Sequence, residues 1–165
     1  MSAQAADPRL DAVARAQAAA DQPRALFLAL EAALAEAPGH KLFTILAYDG
    51  QTGESERLHS NLPAAYPAGG RKRLASGPWT ETVLERGEAY IGYTLEDLRG
   101  VFADHALIAS LGCESVLNLP VRWRGRTLGS LNLLHAAHRY TPGDAIACRA
   151  LAQLALPALL ITTPH

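Results

Sequence analysis

The side chains in this 165-residue chain that call for a chemical explanation are two asparagines, two cysteines and one cation-rich run. Asn118 and Asn132 sit mid-segment in apolar stretches. An amide buried there must be hydrogen-bonded, at about 1–3 kcal/mol if the bond is left unmade. Either each amide satisfies a neighbouring loop backbone, or both line a ligand pocket. Cys113 and Cys148 stand at no disulfide or zinc spacing, so they are expected as two reduced thiols. Gly69-Gly70-Arg71-Lys72-Arg73 offers exposed N–H groups beside cations, which suits an anion, although the strand-loop-helix frame of a phosphate loop is missing. His135 and His138, three apart at a strand exit, share no helical face, and neither His105 nor Cys113 completes a ligand set, so no metal is expected. No Gly-x-Ser-x-Gly elbow occurs, and no catalytic residue is assigned.

The elements that must position these groups follow from periodicity. Residues 7–37 are helical in pattern, with Asp21 as a candidate N-cap before Pro23 and a stripe of Leu26, Leu30, Ala33 and Leu34. Lys41–Tyr48 is an apolar run of strand length, and Ser55–Ser60 returns as a more polar edge strand after an Asp49-Gly50 turn. Residues 61–78 read as a long loop of the kind that serves as a lid or binding loop. A short helix over 79–86, a short strand over 88–93 and a helix opened by the Thr94/Asp97 capping box follow, with Gly100 a possible divide. Ser115–Trp123 and Arg126–His135 form a hairpin about Arg124-Gly125. Thr141-Pro142-Gly143-Asp144 opens a closing helix to about Ile161, with Pro157 as kink or end. Hairpins separated by helices make an α+β protein with an antiparallel sheet of five or six strands. Alternation puts Asn118 on one face of the hairpin with Asn132, Ser130 and Leu128. Gly129 marks a close approach to the sheet by a helix or a ligand.

The segment Leu111–Val121, closing on Leu119-Pro120-Val121, and the return Leu128-Gly129-Ser130-Leu131-Asn132 resemble the central hairpin of GAF domains. The order of elements over residues 21–161 matches that family as well. The resemblance implies a GAF-like sheet with the terminal helices on one face, while loops and short helices roof a ligand pocket on the other. It implies residues 21–165 as one domain behind an N-terminal helical extension, 1–20. Pocket candidates are then Asn118, Ser130 and Asn132 from the sheet, with Tyr66, Trp79, Tyr93, Phe102 and His105 from the roof. Within the family, free methionine-(R)-sulfoxide reductases use a cysteine relay and substrate-gripping carboxylates. Here Cys113 would act without a near resolving thiol, and the corresponding strand positions read Val116, Asn132 and Leu134. A thiol-dependent redox enzyme is therefore the alternative. The cyclic-nucleotide signature is missing, and neither cysteine is followed by His as in bilin-binding members.

Composition sets the outer bounds. Fifteen basic against sixteen acidic side chains and 6% aromatics exclude a phosphate-driven or base-stacking nucleic-acid binder. No leader-like N-terminus and no uninterrupted apolar span are present, so no membrane partner and a cytoplasmic protein are expected. Ala and Leu together number 58 and concentrate in the opening and closing helices, beyond what one sheet face needs, which points to a homodimer through those helices. The expected function is a stand-alone small-molecule sensing or binding domain. Its ligand is small, partly apolar, and neutral or weakly anionic; no cofactor is specified.

Overall fold

In a computed structural model, which describes residues 5–162, six strands form one antiparallel sheet in the order β3-β2-β1-β6-β5-β4. The strands are β1 (Leu42–Asp49), β2 (Glu54–Ser60), β3 (Arg71–Arg73), β4 (Tyr90–Gly92), β5 (Ser115–Trp123) and β6 (Arg126–His135). Helices α1 (Pro8–Ala16), α2 (Arg24–Glu36), α6 (Pro142–Gln153) and α7 (Leu156–Thr162) carry side chains into the core on one face. The other face is roofed by the 61–77 segment, α3 (Pro78–Thr80, continued as a π-helical turn over Glu81–Glu85), α4 (Leu95–Val101) and α5 (His105–Ser110). This is the expected α+β architecture, with terminal helices and roof on opposite faces. Residues 1–4 and 163–165, the outer ends of the two expected spans, lie outside the described residues.

Alternation on the central strands sorts the faces. Phe43, Ile45, Leu117, Leu119, Leu131 and Leu133 meet Leu26, Leu30 and Leu34 of α2 and Leu151 and Leu159 of the closing helices, all buried. The segment expected as an extension joins this layer, for Val13 of α1 is fully buried and Gln17 Nε2 donates to the Leu154 carbonyl at 2.8 Å. Among the described residues no single helix is long and apolar enough to cross a membrane.

Several local expectations change. The closing helix is two helices bent by 58°, and the break precedes Pro157. Proline has no N–H for the Gln153 carbonyl, and its ring collides with that carbonyl, so α6 must stop at Gln153. The division after Thr94 falls at Phe102, which is extended, rather than at Gly100. Asp21 does not cap α2; Pro23 holds the N-cap position without a side-chain bond. The loop over 61–78 contains β3, which makes β3 and not β2 the sheet edge.

Two β-bulges re-aim side chains. Val121 pairs with Gly129 and Arg122 with Thr127, so Leu128 is the extra residue. Leu128 therefore packs in the helix-side core and not beside Ser130, as strict alternation required. The Arg122 backbone freed at this bulge is paired by Gln153 of α6, whose Oε1 accepts from Arg122 N at 3.0 Å while Nε2 donates to its carbonyl at 2.7 Å. The second bulge is at Leu58: Arg57 keeps the register set at Asp49–Glu54 and lies opposite Leu46, while beyond the bulge His59 and Ser60 lie opposite Ile45 and Thr44.

Gly129 is where a helix comes close. A Cβ there would lie 2.3 Å from the Leu46 carbonyl oxygen and 2.9 Å from Leu159 Cδ1 of α7. Gly129→Ala should lower stability by about 1–3 kcal/mol through overpacking, read as a lower urea midpoint. Gly100→Ala is the control, since its Cβ would meet nothing within 4 Å in a helix; it should be neutral or stabilising by up to about 1 kcal/mol. Equal midpoints for the two variants would contradict this packing account.

Candidate ligand-binding site

Between sheet and roof lies a cavity of about 310 Å³, within the range of small-molecule pockets. Its floor is Thr44 and Leu46 of β1, Val116 and Asn118 of β5, and Asn132 and Leu134 of β6. Trp79, Val101, Phe102 and Ile108 cover it, and Arg57, Tyr66, Lys72, Arg73 and Asp104 close one end.

The floor amides are paired directly across β5 and β6, Asn118 opposite Asn132. Trp79 Nε1 donates to Asn118 Oδ1 at 3.0 Å, and Asn118 Nδ2 donates to Asn132 Oδ1 at 2.6 Å. Asn132 Nδ2 then donates to Thr44 Oγ1 at 3.2 Å. Ser130 Oγ donates its only hydrogen to Asn132 Oδ1 at 2.8 Å, so the Tyr48 hydroxyl must be the donor in its 2.6 Å bond to Ser130 Oγ. Neither of the two readings raised for the asparagines describes this arrangement by itself. The amides satisfy one another and an indole, and they also face the cavity. Tyr48 is wholly buried edge-on to Trp79, with ring centroids 6.0 Å apart, and burial pushes its phenol far above its ordinary value.

The π-helical turn that follows Trp79 is fastened to the sheet beyond the cavity. Thr127 Oγ1 donates to the Val83 carbonyl at 2.7 Å, and Arg122 Nη1 donates to Thr127 Oγ1 at 2.7 Å and to the Leu84 carbonyl at 3.4 Å. The opposite end of the roof is closed by charge. The Arg57 guanidinium lies 3.7 Å over the Tyr66 ring centroid and donates to the Pro67 carbonyl at 2.7 Å. The Tyr66 hydroxyl donates to Asp104 Oδ2, which also accepts from Lys72 Nζ at 3.2 Å. Burial works to raise the Asp104 carboxyl, but the Tyr66 hydroxyl and the Lys72 ammonium outweigh it and hold the group below the usual carboxylate range. Burial, then Asp104, pushes the Tyr66 phenol upward.

Of the eight candidate residues, the structure brings Asn118, Asn132, Trp79, Tyr66 and Phe102 to the cavity wall. Ser130 stands one bond behind the wall, fully buried and held by Tyr48 and Asn132. Tyr93 lies outside it, 39% exposed, because its N–H is drawn into the capping box by Asp97 Oδ2 at 2.8 Å. His105 opens α5 half-buried and likewise lies outside the wall. Thr44, Arg57 and Asp104 were not singled out from the sequence. Arg57 reaches the cavity from the same face of β2 as Ser55, on the turn side of the Leu58 bulge, where alternation counted from the Asp49-Gly50 turn places it. Cys113 is fully buried beneath α5, its Sγ 4.0 Å from the Leu111 carbonyl, and burial pushes its thiol up. Cys148 is buried in the helix-side core, across the sheet.

No curated protein matches the chain. Its fold is similar to that of the GAF domain from a phosphoenolpyruvate-protein phosphotransferase of Coxiella burnetii, with 19% identity and a TM-score of 0.73, covering 94% of this chain and 92% of that one. The corresponding GAF domain from Acinetobacter gives 13% identity and a TM-score of 0.71 over the same shares, 94% and 92%. The type II free methionine-R-sulfoxide reductase from Thermoplasma acidophilum gives 14% identity and a TM-score of 0.60, covering 94% and 96%. These likenesses establish the fold. The sequence itself is matched by the GAF domain family model over residues 19–159, most of its length, and the chain belongs to the GAF domain family.

Proposed function

We propose that this chain is a sensory GAF domain that binds a small molecule in the cavity between sheet and roof and acts through a homodimer. The observation that carries the reading is the pair of fixed amides, Asn118 and Asn132, at the floor of a cavity whose cover is largely apolar. Such a site suits a partly apolar ligand oriented by a few polar groups. Support for the dimer comes from large apolar side chains left exposed on the terminal helices, Ile146 at 68% and Ile161 at 72%.

The thiol-enzyme alternative has the fold likeness to a sulfoxide reductase in its favour. Against it, Cys113 is absent from the cavity wall, buried and held protonated, while Cys148 lies across the sheet. A nucleophilic thiol needs access and thiolate character, and a relay needs a second thiol within reach.

Three measurements follow from this reading. A thermal-shift screen of metabolite-like compounds should find one that raises the Tm by about 5–10 °C at a hundredfold excess over Kd. In a Trp123→Phe background that compound should also change the emission of Trp79; stabilisation with unchanged Trp79 emission would place the ligand elsewhere. Light scattering at micromolar protein should report a dimer, and Ile146→Glu combined with Ile161→Glu should give a monomer. A wild-type protein that is monomeric throughout that range rules the dimer out. Purified wild type should not reduce free methionine-(R)-sulfoxide with a dithiol reductant, and Cys113→Ser should keep the thermal shift. Turnover lost in Cys113→Ser would instead establish the enzyme.

A further inference from the structure

The charged side chains that face the cavity are Arg57, Lys72 and Asp104, two cations to one carboxylate, all at one end. Arg73 borders the cavity as well, but in β3 it alternates with Lys72 and lies opposite Glu54, on the face of Arg71. The remainder of the wall is neutral. Arg71, the other cation of β3, is turned to the outer edge and paired with Glu54 and Glu56 at 3.3 Å each. Arg73 makes no ion pair among the described residues. Arg57 is held in place by Tyr66 and the Pro67 carbonyl, yet its Nε is buried without a hydrogen-bond partner. A buried guanidinium N–H without an acceptor is costly, and guanidinium groups favour planar anions. The single carboxylate present there, Asp104, already accepts from both a hydroxyl and an ammonium. That is the bonding pattern a carboxylate or phosphate on a ligand would adopt.

Building on the small-molecule reading above, we propose that the ligand carries one anionic group, which seats between Arg57 and Lys72 in the place that the Asp104 carboxylate takes in this structure. Asp104 is then an internal competitor. It neutralises Lys72 and ties β3 to the turn before α5, and an incoming anion takes over Lys72 and satisfies Arg57 Nε. The turn carrying Asp104 is released in the exchange, so anion binding is coupled to the position of α4 and α5. The apolar body of the ligand lies over Asn118 and Asn132 beneath Trp79.

Two probes with nearly the same body separate the charge from the cavity: 1-anilinonaphthalene-8-sulfonate, an anion, and N-phenyl-1-naphthylamine, which is neutral. The chain has two tryptophans, so Trp123→Phe leaves Trp79 as the sole indole reporter. In that background the anion should quench Trp79 at a Kd about tenfold below that of the neutral probe, the worth of one partly screened charge pair. The advantage should shrink as salt rises. Lys72→Met should remove most of it, and Asp104→Asn should tighten the anion several-fold while leaving the neutral probe unchanged. Lys72 is exposed on an edge strand, so its replacement tests the inference even where Asp104→Asn does not fold. Equal affinity for the two probes, or weaker anion binding in folded Asp104→Asn, overturns the anionic assignment and leaves the cavity reading standing. No quenching of Trp79 by either probe overturns both.

Discussion

A single donor, the indole Nε1–H of Trp79, sets the direction of the hydrogen-bond network on the sheet floor. Indole nitrogen donates and cannot accept, so Asn118 must turn its oxygen to Trp79 and its nitrogen to Asn132. Asn132 must then present oxygen to Asn118 and nitrogen to Thr44. The Ser130 hydrogen is committed to the same oxygen, which leaves Tyr48 as donor at the end of the chain. Five sheet residues on three strands thus take one orientation from one roof residue. Each unmade bond in this buried set would cost about 1–3 kcal/mol, so the network specifies where α3 sits more sharply than apolar contact would.

That constraint explains how a cavity persists against a face that could otherwise collapse. Across the sheet, Phe43, Leu117, Leu131 and their neighbours are met by helices that fill the space, and Gly129 allows Leu159 to approach the backbone itself. On the roof side the floor carries Thr44, Asn118 and Asn132 among its apolar residues, and these polar groups, already satisfied, gain little from being covered. Trp79 is held at the edge by its hydrogen bond and its contact with Tyr48, and the space beyond it remains open. The Ala and Leu surplus belongs to the closed face. Ala33, Ala152, Ala155 and Ala158 are buried there, where small side chains let the helices lie close. The surplus therefore serves internal packing first, and only a few large apolar groups, Ile146 and Ile161 foremost, remain for an interface.

Legibility in the sequence followed the strength of the period. The β5–β6 hairpin has two long apolar strands and an Arg124-Gly125 turn with positive φ at both residues, so the hairpin could be read directly. The direct pairing of Asn118 with Asn132, by contrast, is one residue off the register that this turn sets and comes from the Leu128 bulge. The strand β3 could not: three exposed cations carry no alternation, and its pairing with β2 is an edge matter of backbone bonds. Bulges were invisible for the same reason, since one inserted residue leaves the composition of a strand unchanged while it moves Leu128 and His59 to the helix-side face. Roof candidates were nominated by residue type, and type does not say which way a short helix faces. Tyr93 is held outside by the Thr94 capping box, whereas Tyr66 and Phe102 are turned inward. The partners of the asparagines were beyond reach because Trp79 lies 39 residues from Asn118 on an element joined to it by no local pattern.

The two ends of the roof are held by different physics. At the α3 end the ties are Trp79 to Asn118, Thr127 to the Val83 carbonyl and Arg122 to the Leu84 carbonyl, hydrogen bonds from a buried or half-buried sheet face that salt screens little. At the other end Lys72, itself 57% exposed, grips a carboxylate that a second acceptor could replace. Exposed pairs of this kind contribute from nothing to about 1 kcal/mol, whereas the amide network is buried, where a hydrogen bond is electrostatically stronger than in water. The roof is consequently anchored at Trp79 and exchangeable at Asp104. The exchangeable end is also the one built from the Gly69–Arg73 run that stood out in the sequence as a possible anion cradle. In the folded chain Lys72 of that run faces the cavity from its place opposite Ser55, and Arg57 joins it from the same face of β2.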